Sequence, residues 1–292
     1  MTTTTKTMDL GGTFSLGGMT VNRMGYGAMQ LAGPHVFGPP KDRAAAVAVL
    51  QEAIESGVNH IDTSDFYGPH VTNQIIKEAL HPYREGLVLV PKLGAKRDDV
   101  GNWIMARSRE DLIEQAQGNL KNLGVETLDV VNLRVGALQT AEAGSIAEPM
   151  KTMIELKEQG IIQHIGLSTV NLEQVREAQT MTEIVCVQNF YNVANRADDA
   201  MIEELEKEGI AYVPYFPLGG FSPLQSSELN DVAAELEATP MQVAQAWLLQ
   251  RAKNVLLIPG TSSVGHLREN LAAAEVVLPE EMVVRLDGIG KA

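Results

Sequence analysis

Only one cysteine, Cys186, occurs in the chain. That excludes an intrachain disulfide and points to a reducing compartment. Set inside Ile184-Val185-Cys186-Val187, it reads as a small buried hydrophobe. Basic residues are also scarce: 23 Lys and Arg stand against 37 Asp and Glu, a formal net charge of −14. Such a balance argues against nucleic acid or an anionic membrane as a partner. It leaves room for a small phosphorylated ligand, which needs only a few local cations and backbone N–H groups. No apolar run approaches the ~18 residues of a membrane span. The first residues, Met1-Thr2-Thr3-Thr4-Thr5-Lys6-Thr7, lack the ~7–15-residue apolar stretch of a signal peptide. A soluble, cytoplasmic protein is expected. No Pro/Gly/Ser-rich linker, heptad or internal repeat divides the chain, so residues 1–292 are expected to form one domain.

What is present is an alternation of short apolar runs with helical patterns. Phe14 to Val21 carries two strand-like pieces around Gly17-Gly18, a hairpin signal. Strands are then expected at 23–26, 59–62, 87–90, 128–134, 164–168, 184–188, 210–215 and 255–259. Helical patterns lie between them at 43–56, 109–123, 146–159, 200–208 and 240–250, several ending in glycine (Gly57, Gly124, Gly160, Gly209). Eight strands with intervening helices are the count of a closed (β/α)8 TIM barrel, here with an N-terminal β-hairpin. A doubly wound sheet would be expected to show G-x-G-x-x-G after its first strand. Gly25-Tyr26-Gly27 is followed by Gln30 where the third glycine would stand. Segments 30–42, 134–145 and 218–230 follow strands, which on a barrel places long loops on the C-terminal, catalytic face.

Two of the apolar runs end in chemistry. Residues 58–62 break at Asp62 into Thr63-Ser64-Asp65-Phe66-Tyr67-Gly68, and Leu87–Val90 breaks at Pro91-Lys92. An acid, a phenol and an amine are thereby delivered to strand ends. Strand parity puts His60 and Asp62 on one face, and Val88, Val90 and Lys92 on another. A free phenol titrates near ~10, too weak an acid for neutral pH unless a cation lowers it. Lys92 would supply that cation, and Asp62 would hold Lys92. His60 and His164 sit inside apolar strands without ligand spacing and read as core histidines, so no metal is expected. His70 stands open between roles, just beyond Tyr67.

Asp62-x-x-x-x-Tyr67-Gly68, Lys92 after a strand, Gly166-Leu167-Ser168, Gln188, Pro217-Leu218-Gly219 and Ile258-Pro259-Gly260-Thr261 together resemble the aldo-keto reductases over nearly the whole chain. Within that family the chain resembles the bacterial pyridoxal reductases, through Gly27-Ala28-Met29-Gln30, Asp62 to His70, and Val130 to Val135. The resemblance implies NADPH-dependent reduction of an aldehyde or ketone on a barrel. Tyr67 would be the general acid, Lys92 and Asp62 its supports. Where many members carry His on strand four, five residues after an Asp, counting from Asp129 gives Arg134. An arginine cannot give up its proton, but can hold a carbonyl oxygen. The alternative is that Arg134 turns away to pair with a loop carboxylate such as Glu142 or Glu148.

For the cofactor, the resemblance implies Ser168 and Gln188 on the nicotinamide carboxamide and Tyr215 under its ring. It places Gly27, Ala28 and Met29 at the end of the first strand beside it. Leu218 and Gly219 would pass near the pyrophosphate, with Gly260 and Thr261 offering N–H groups and a hydroxyl. Arg268 would meet the 2′-phosphate, with Glu269 and Asn270 near the adenine. Two departures stand out: Thr169 follows Ser168 where Asn is common, and Phe216 stands where Ser is common. Substrate walls are expected from Gln30, Phe37, Phe66, Trp103 and Phe221. Pyridoxal is the favoured substrate, being a small aldehyde with a partial negative charge that suits Arg134. A broad-specificity aldehyde or ketone reductase uses the same residues, and a poorly active NADPH-binding regulatory subunit is the reading from another class. Oligomeric state is left open by the sequence.

Overall fold

The computed structural model describes residues 10–137, 139–217, 219 and 226–290. It opens with β1 (Thr13–Leu16) paired antiparallel to β2 (Met19–Asn22). Gly17 and Gly18 make the turn at φ 58° and 85°, the positive values a tight two-residue hairpin demands. The strands that follow are β3 (Tyr26–Gly27), β4 (His60–Asp62), β5 (Val88–Val90) and β6 (Lys92–Leu93). A second antiparallel hairpin, β7 (Ala95–Arg97) with β8 (Trp103–Met105), leads to β9 (Leu128–Arg134). The last three are β10 (Ile162–Ser168), β11 (Ile184–Gln188) and β12 (Ala211–Tyr212).

Pairing is parallel in the orders β3-β4-β5 and β6-β9-β10-β11-β12. β5 and β6 are two halves of one barrel strand, separated at Pro91, which has no N–H for a ladder. The ring closes through residues 255–257: Tyr212 bridges Val255, and Leu257 bridges Met24. Leu257 N donates to Arg23 O and Gly25 N to Leu257 O, both at 2.8 Å. The result is a (β/α)8 barrel.

Helices α1 (Arg43–Glu55), α2 (Val71–Leu80), α3 (Arg109–Leu123), α4 (Ala147–Glu158), α5 (Leu172–Gln179) and α6 (Asp199–Lys207) lie between successive barrel strands. Next come α7 (Ser227–Glu235), α8 (Pro240–Arg251), α9 (Val264–Ala272) and α10 (Glu280–Asp287). Several starts follow from side chains that accept a backbone N–H: Asp42, Ser108, Asn171, Thr239 and Ser263. Arg285 of α10 pairs with Glu228 and Glu235, tying the two helices outside the barrel repeat, α7 and α10, together.

Strand parity sorts the core. Ile61, Leu89, Val131 and Leu133 face the helices, while Val88, Val90 and Val130 face inward with Leu16 and Val21 of the first hairpin. That hairpin therefore stops the bottom of the barrel, and chemistry is left to the other end.

Some boundaries differ from expectation. The first and last barrel strands shrink to β3 and isolated bridges, and 210–215 to β12 with a bridge at Tyr215. Residues 227–230, expected in a loop, begin α7, and residues 28–36 hold two 3-10 turns. The hairpin β7–β8 was not anticipated.

Candidate active site

At the C-terminal ends of β4 and β6, Lys92 Nζ donates to Asp62 Oδ1 at 2.5 Å and to Thr63 O at 3.2 Å. Both side chains are buried. Asp62 Oδ2 accepts from Gln188 Nε2 at 2.8 Å, so the carboxylate is bound on both oxygens. Lys92 Nζ lies 5.5 Å from the centroid of the Tyr67 ring. Burial alone would pull the ammonium down, but Asp62 and Tyr67 outweigh it and hold Lys92 above its ordinary value. Lys92 is therefore a fixed positive charge at neutral pH, held against Asp62.

The phenol corrects a sequence expectation. Lys92 and Arg134 do pull the Tyr67 pKa down, yet burial pushes it up more strongly, and Asp62 adds to the rise. The net direction is above 10, not below. Tyr67 is therefore fully protonated at neutral pH, the form an acid needs before it donates.

The loop that carries Tyr67 is anchored from below. Asp65 Oδ1 accepts from Asn73 Nδ2 at 3.2 Å and Asn122 Nδ2 at 2.9 Å, and Oδ2 meets His70 Nδ1 at 2.7 Å. Thr63 Oγ1 donates to Asn73 Oδ1 at 2.8 Å, and Asn73 Nδ2 also reaches Asn119 Oδ1 at 2.9 Å. This network pins the loop bearing Tyr67 to α2 and α3. His70 is part of that anchor.

A cavity of about 580 Å3 opens above these groups. Its wall includes the expected Asp62, Tyr67, Lys92 and Arg134, with Gly27, Met29, Gln30, Gln188 and Tyr215. Gly260, Asn270, Phe66 and Trp103 also line it. Arg134 Nη2 donates to Ala137 O at 2.5 Å, while Glu142 and Glu148 pair with Arg107 and Lys151. Arg134 thus lines the cavity with one guanidinium nitrogen on Ala137 O, and the two carboxylates are paired with other cations.

Other expected residues stand elsewhere. Phe37 packs against Arg97, and Ala28 is buried in the core behind the wall. Thr261 O accepts from Tyr26 Oη at 2.5 Å, and its Oγ1 accepts from Ser263 N. Glu269 O accepts from Gln242 Nε2, and Arg268 Nε bonds Glu52 Oε1 at 2.7 Å on the outer surface. Gly219 N donates to Phe216 O at 3.0 Å. Ser168 is buried but outside the wall, and Leu218 and Phe221 lie outside the described residues. Wall residues not anticipated are mostly apolar: Ala95, Met105, Pro217, Met241 and Ile258. They carry no chemistry of their own, and only Pro217 and Ile258 stood in a motif the sequence showed.

The two departures both fall on left-handed backbone, and nothing in the structure explains Phe216. Thr169 sits at φ 57° and Phe216 at φ 59°, left-handed conformations that Asn enters more readily than a β-branched residue. The Thr169 hydroxyl is 3.1 Å from Tyr215 Oη, a bond that fixes the ring lining the cavity. Cys186 Sγ donates to Asn132 Oδ1 at 3.2 Å, and burial pushes its thiol up to about 12. It is inert at neutral pH. Among the described residues no three His, Cys, Asp or Glu side chains form a metal-holding group, and no helix is long and apolar enough to cross a membrane.

A closed barrel with a buried Asp–Lys pair beside a tyrosine at its C-terminal mouth defines a class of oxidoreductase. Residues 23–291 match the model of the aldo/keto reductase family, and the chain belongs to that family. It is 61% identical over 281 residues to a pyridoxine 4-dehydrogenase of Escherichia coli, across 96% of this chain and 98% of that one. A solved thermostable aldo-keto reductase in complex with the inhibitor epalrestat superposes with a TM-score of 0.79 at 30% identity, covering 94% of this chain and 98% of the other. An aldo/keto reductase of Klebsiella pneumoniae in complex with NADP and acetate has the same fold, with a TM-score of 0.75 at 23% identity and 94% of each chain covered.

Proposed function

We propose that this chain is an NADPH-dependent carbonyl reductase that interconverts pyridoxal and pyridoxine. The observation that carries the reading is the buried Asp62–Lys92 pair set beside a protonated Tyr67 on the wall of a largely apolar cavity. The 61% identity to a pyridoxine 4-dehydrogenase supports the substrate.

The chain has groups that fit a dinucleotide. Ser168 Oγ is buried with no partner among the described residues, next to Gln188 in the β10–β11 register. A carboxamide offers both a donor and an acceptor to such a pair. Tyr215 presents an aromatic ring in the same cavity, and the family resemblance implies Arg268, which is exposed and bonded to Glu52, for the 2′-phosphate. When bound, NADPH supplies the hydride. The Tyr67 hydroxyl delivers the proton to the carbonyl oxygen as that oxygen gains charge. Lys92 and Arg134 stabilise the charge shared between the phenol and the developing alkoxide. Asp62 keeps the ammonium in place, and the apolar wall excludes water. The single buried cysteine suits a cytoplasmic setting.

A panel of pyridoxal, aromatic and aliphatic aldehydes, followed by NADPH and NADH absorbance, tests the reading. Pyridoxal should show the highest kcat/KM, with NADPH preferred. Equal rates across the panel would establish the broad-specificity reductase, which the apolar lining also permits. Tight NADPH binding with no turnover of any carbonyl would turn the assignment to a regulatory subunit.

A further inference from the structure

The unanticipated hairpin β7–β8 is fastened to α3 by Lys96, which pairs with Asp111 and Glu114, and to the turn at His35-Val36 by Arg97. Arg97 Nη1 donates to Val36 O at 3.1 Å, Nη2 to His35 O at 3.0 Å, and Nε to Gly101 O at 3.0 Å. Its guanidinium carbon lies 4.0 Å from the Trp103 ring centroid and 5.4 Å from that of Phe37. Trp103 in turn stands edge-on to Phe66 at 5.5 Å and to Tyr67 at 6.5 Å. One planar cation therefore holds an aromatic wall of the cavity.

The carbonyls it grips are not ordinary ones. His35 and Val36 have φ of 58° and 59°, a left-handed pair with no glycine, and a β-branched residue there is a true outlier. Such a turn persists only when its surroundings over-determine it. Arg97 supplies two of the bonds that do so. Val36 O also accepts from Gly68 N at 3.1 Å, and Gly38 N donates to Gly68 O at 3.1 Å. The strained turn is thus joined both to the hairpin bearing Trp103 and to the residue after Tyr67. Burial lowers the Arg97 pKa, but not enough to matter for an arginine, so the cation persists at any working pH.

We propose that Arg97 is a positioning residue that sets substrate specificity, clamping Trp103 against Phe66 and Tyr67 so that the cavity prefers flat aromatic aldehydes to aliphatic ones. The inference deepens the carbonyl-reductase reading and rests on it. Arg97 does not line the cavity, so it acts through the indole and the turn. A lysine in its place has neither the plane to stack nor the fork to hold three carbonyls at once.

The test uses the full chain carrying Arg97→Met and, separately, Arg97→Lys, with pyridoxal and propanal as substrates. Arg97→Met should raise KM for pyridoxal about ten-fold, an anchor-sized loss. Values of kcat/KM for propanal and KM for NADPH should stay within about two-fold of wild type. Trp103 emission, taken as the difference from the matching Trp103→Phe protein, should shift to the red as the ring is released. Arg97→Lys should behave as Arg97→Met does. The proposal is overturned if pyridoxal and propanal decline together, if Arg97→Lys retains wild-type discrimination, or if Trp103 emission is unchanged in Arg97→Met. Absence of wild-type activity with every aldehyde would instead remove the reductase reading, and the emission shift would still decide whether Arg97 holds the wall.

Discussion

Arg134 puts a permanent charge beside Tyr67, where a titrating histidine would make the site pH-dependent near ~6.5. It lines the cavity and lowers the phenol pKa, although burial wins. Two expectations follow from those opposing effects. Reduction needs the protonated phenol, so kcat for aldehyde reduction should stay flat from mildly acidic to mildly alkaline pH. Oxidation of the alcohol needs the phenolate, so its rate should climb with pH through the alkaline range. Steady-state profiles in both directions check this; a fall in reduction centred near neutrality would remove Tyr67 as the only titrating group. Arg134→Met should lower kcat on the order of 10²–10³-fold at every pH, and Tyr67→Phe on the order of 10²–10⁴-fold. Near-normal turnover in either variant would strip that residue of its role. Arg268, bonded to Glu52 on the surface, is a separate question. Arg268→Ala should weaken NADPH roughly ten-fold while sparing NADH, as loss of a phosphate contact would; equal weakening in titrations of both would place the phosphate elsewhere. The Asp62–Lys92 pairing was legible because period-2 parity and an abrupt end to each apolar run leave few places for a side chain to go. The sign of the phenol shift was not, because it depends on how deeply Tyr67 is buried, and spacing carries no information on depth.

At the scale of elements, α3 holds the clearest conflict between local preference and tertiary need. Gly118 lies within this fifteen-residue helix, where glycine costs about 1 kcal/mol relative to alanine. Propensity alone says Gly118→Ala should stabilise. A Cβ there would meet Asp65 Oδ2 at 2.7 Å, and Asp65 is the buried anchor of the loop bearing Tyr67. The substitution should therefore destabilise the fold and lower kcat by displacing Tyr67. Urea unfolding read beside kcat checks it, and a gain of stability with full activity would defeat the argument. The helix itself was legible to the residue, since Ser108 caps its start and Gly124 at φ 73° ends it. The hairpin β7–β8 was not, for its strands have three residues each and lack the alternation of a half-buried strand. Its place is set by Arg97 and by carbonyls more than sixty residues away in sequence, a contact no local pattern encodes.

For the molecule as a whole, the polar end of the barrel is balanced by a histidine sealed further inside. His60 is 3% exposed, and neither ring nitrogen has a hydrogen-bond partner among the described residues. Gly25 leaves the space its ring occupies, since a Cβ there would lie 2.1 Å from His60 Nε2. Burial lowers its pKa from 6.5 to about 4. The folded value is below the unfolded one, so between those limits the unfolded chain binds a proton that the native chain refuses. Stability is then fully present above pH ~6.5 and is lost as pH falls towards ~4, by up to about 3 kcal/mol from this one group. Asp129 and Asp198 act in the opposite sense, because burial raises both carboxyls and favours the native state as they protonate. Urea unfolding of wild type and His60→Leu from pH 7.5 to 4 isolates the histidine. The variant carries its own packing penalty, which is constant with pH, so the slope is the informative quantity. Wild-type stability should fall more steeply than that of the variant across this window. Parallel slopes would mean that the barrel opens enough to protonate His60 while still folded, and the interior would then not be the dry, closed plug on which the fixed geometry of Asp62 and Lys92 depends.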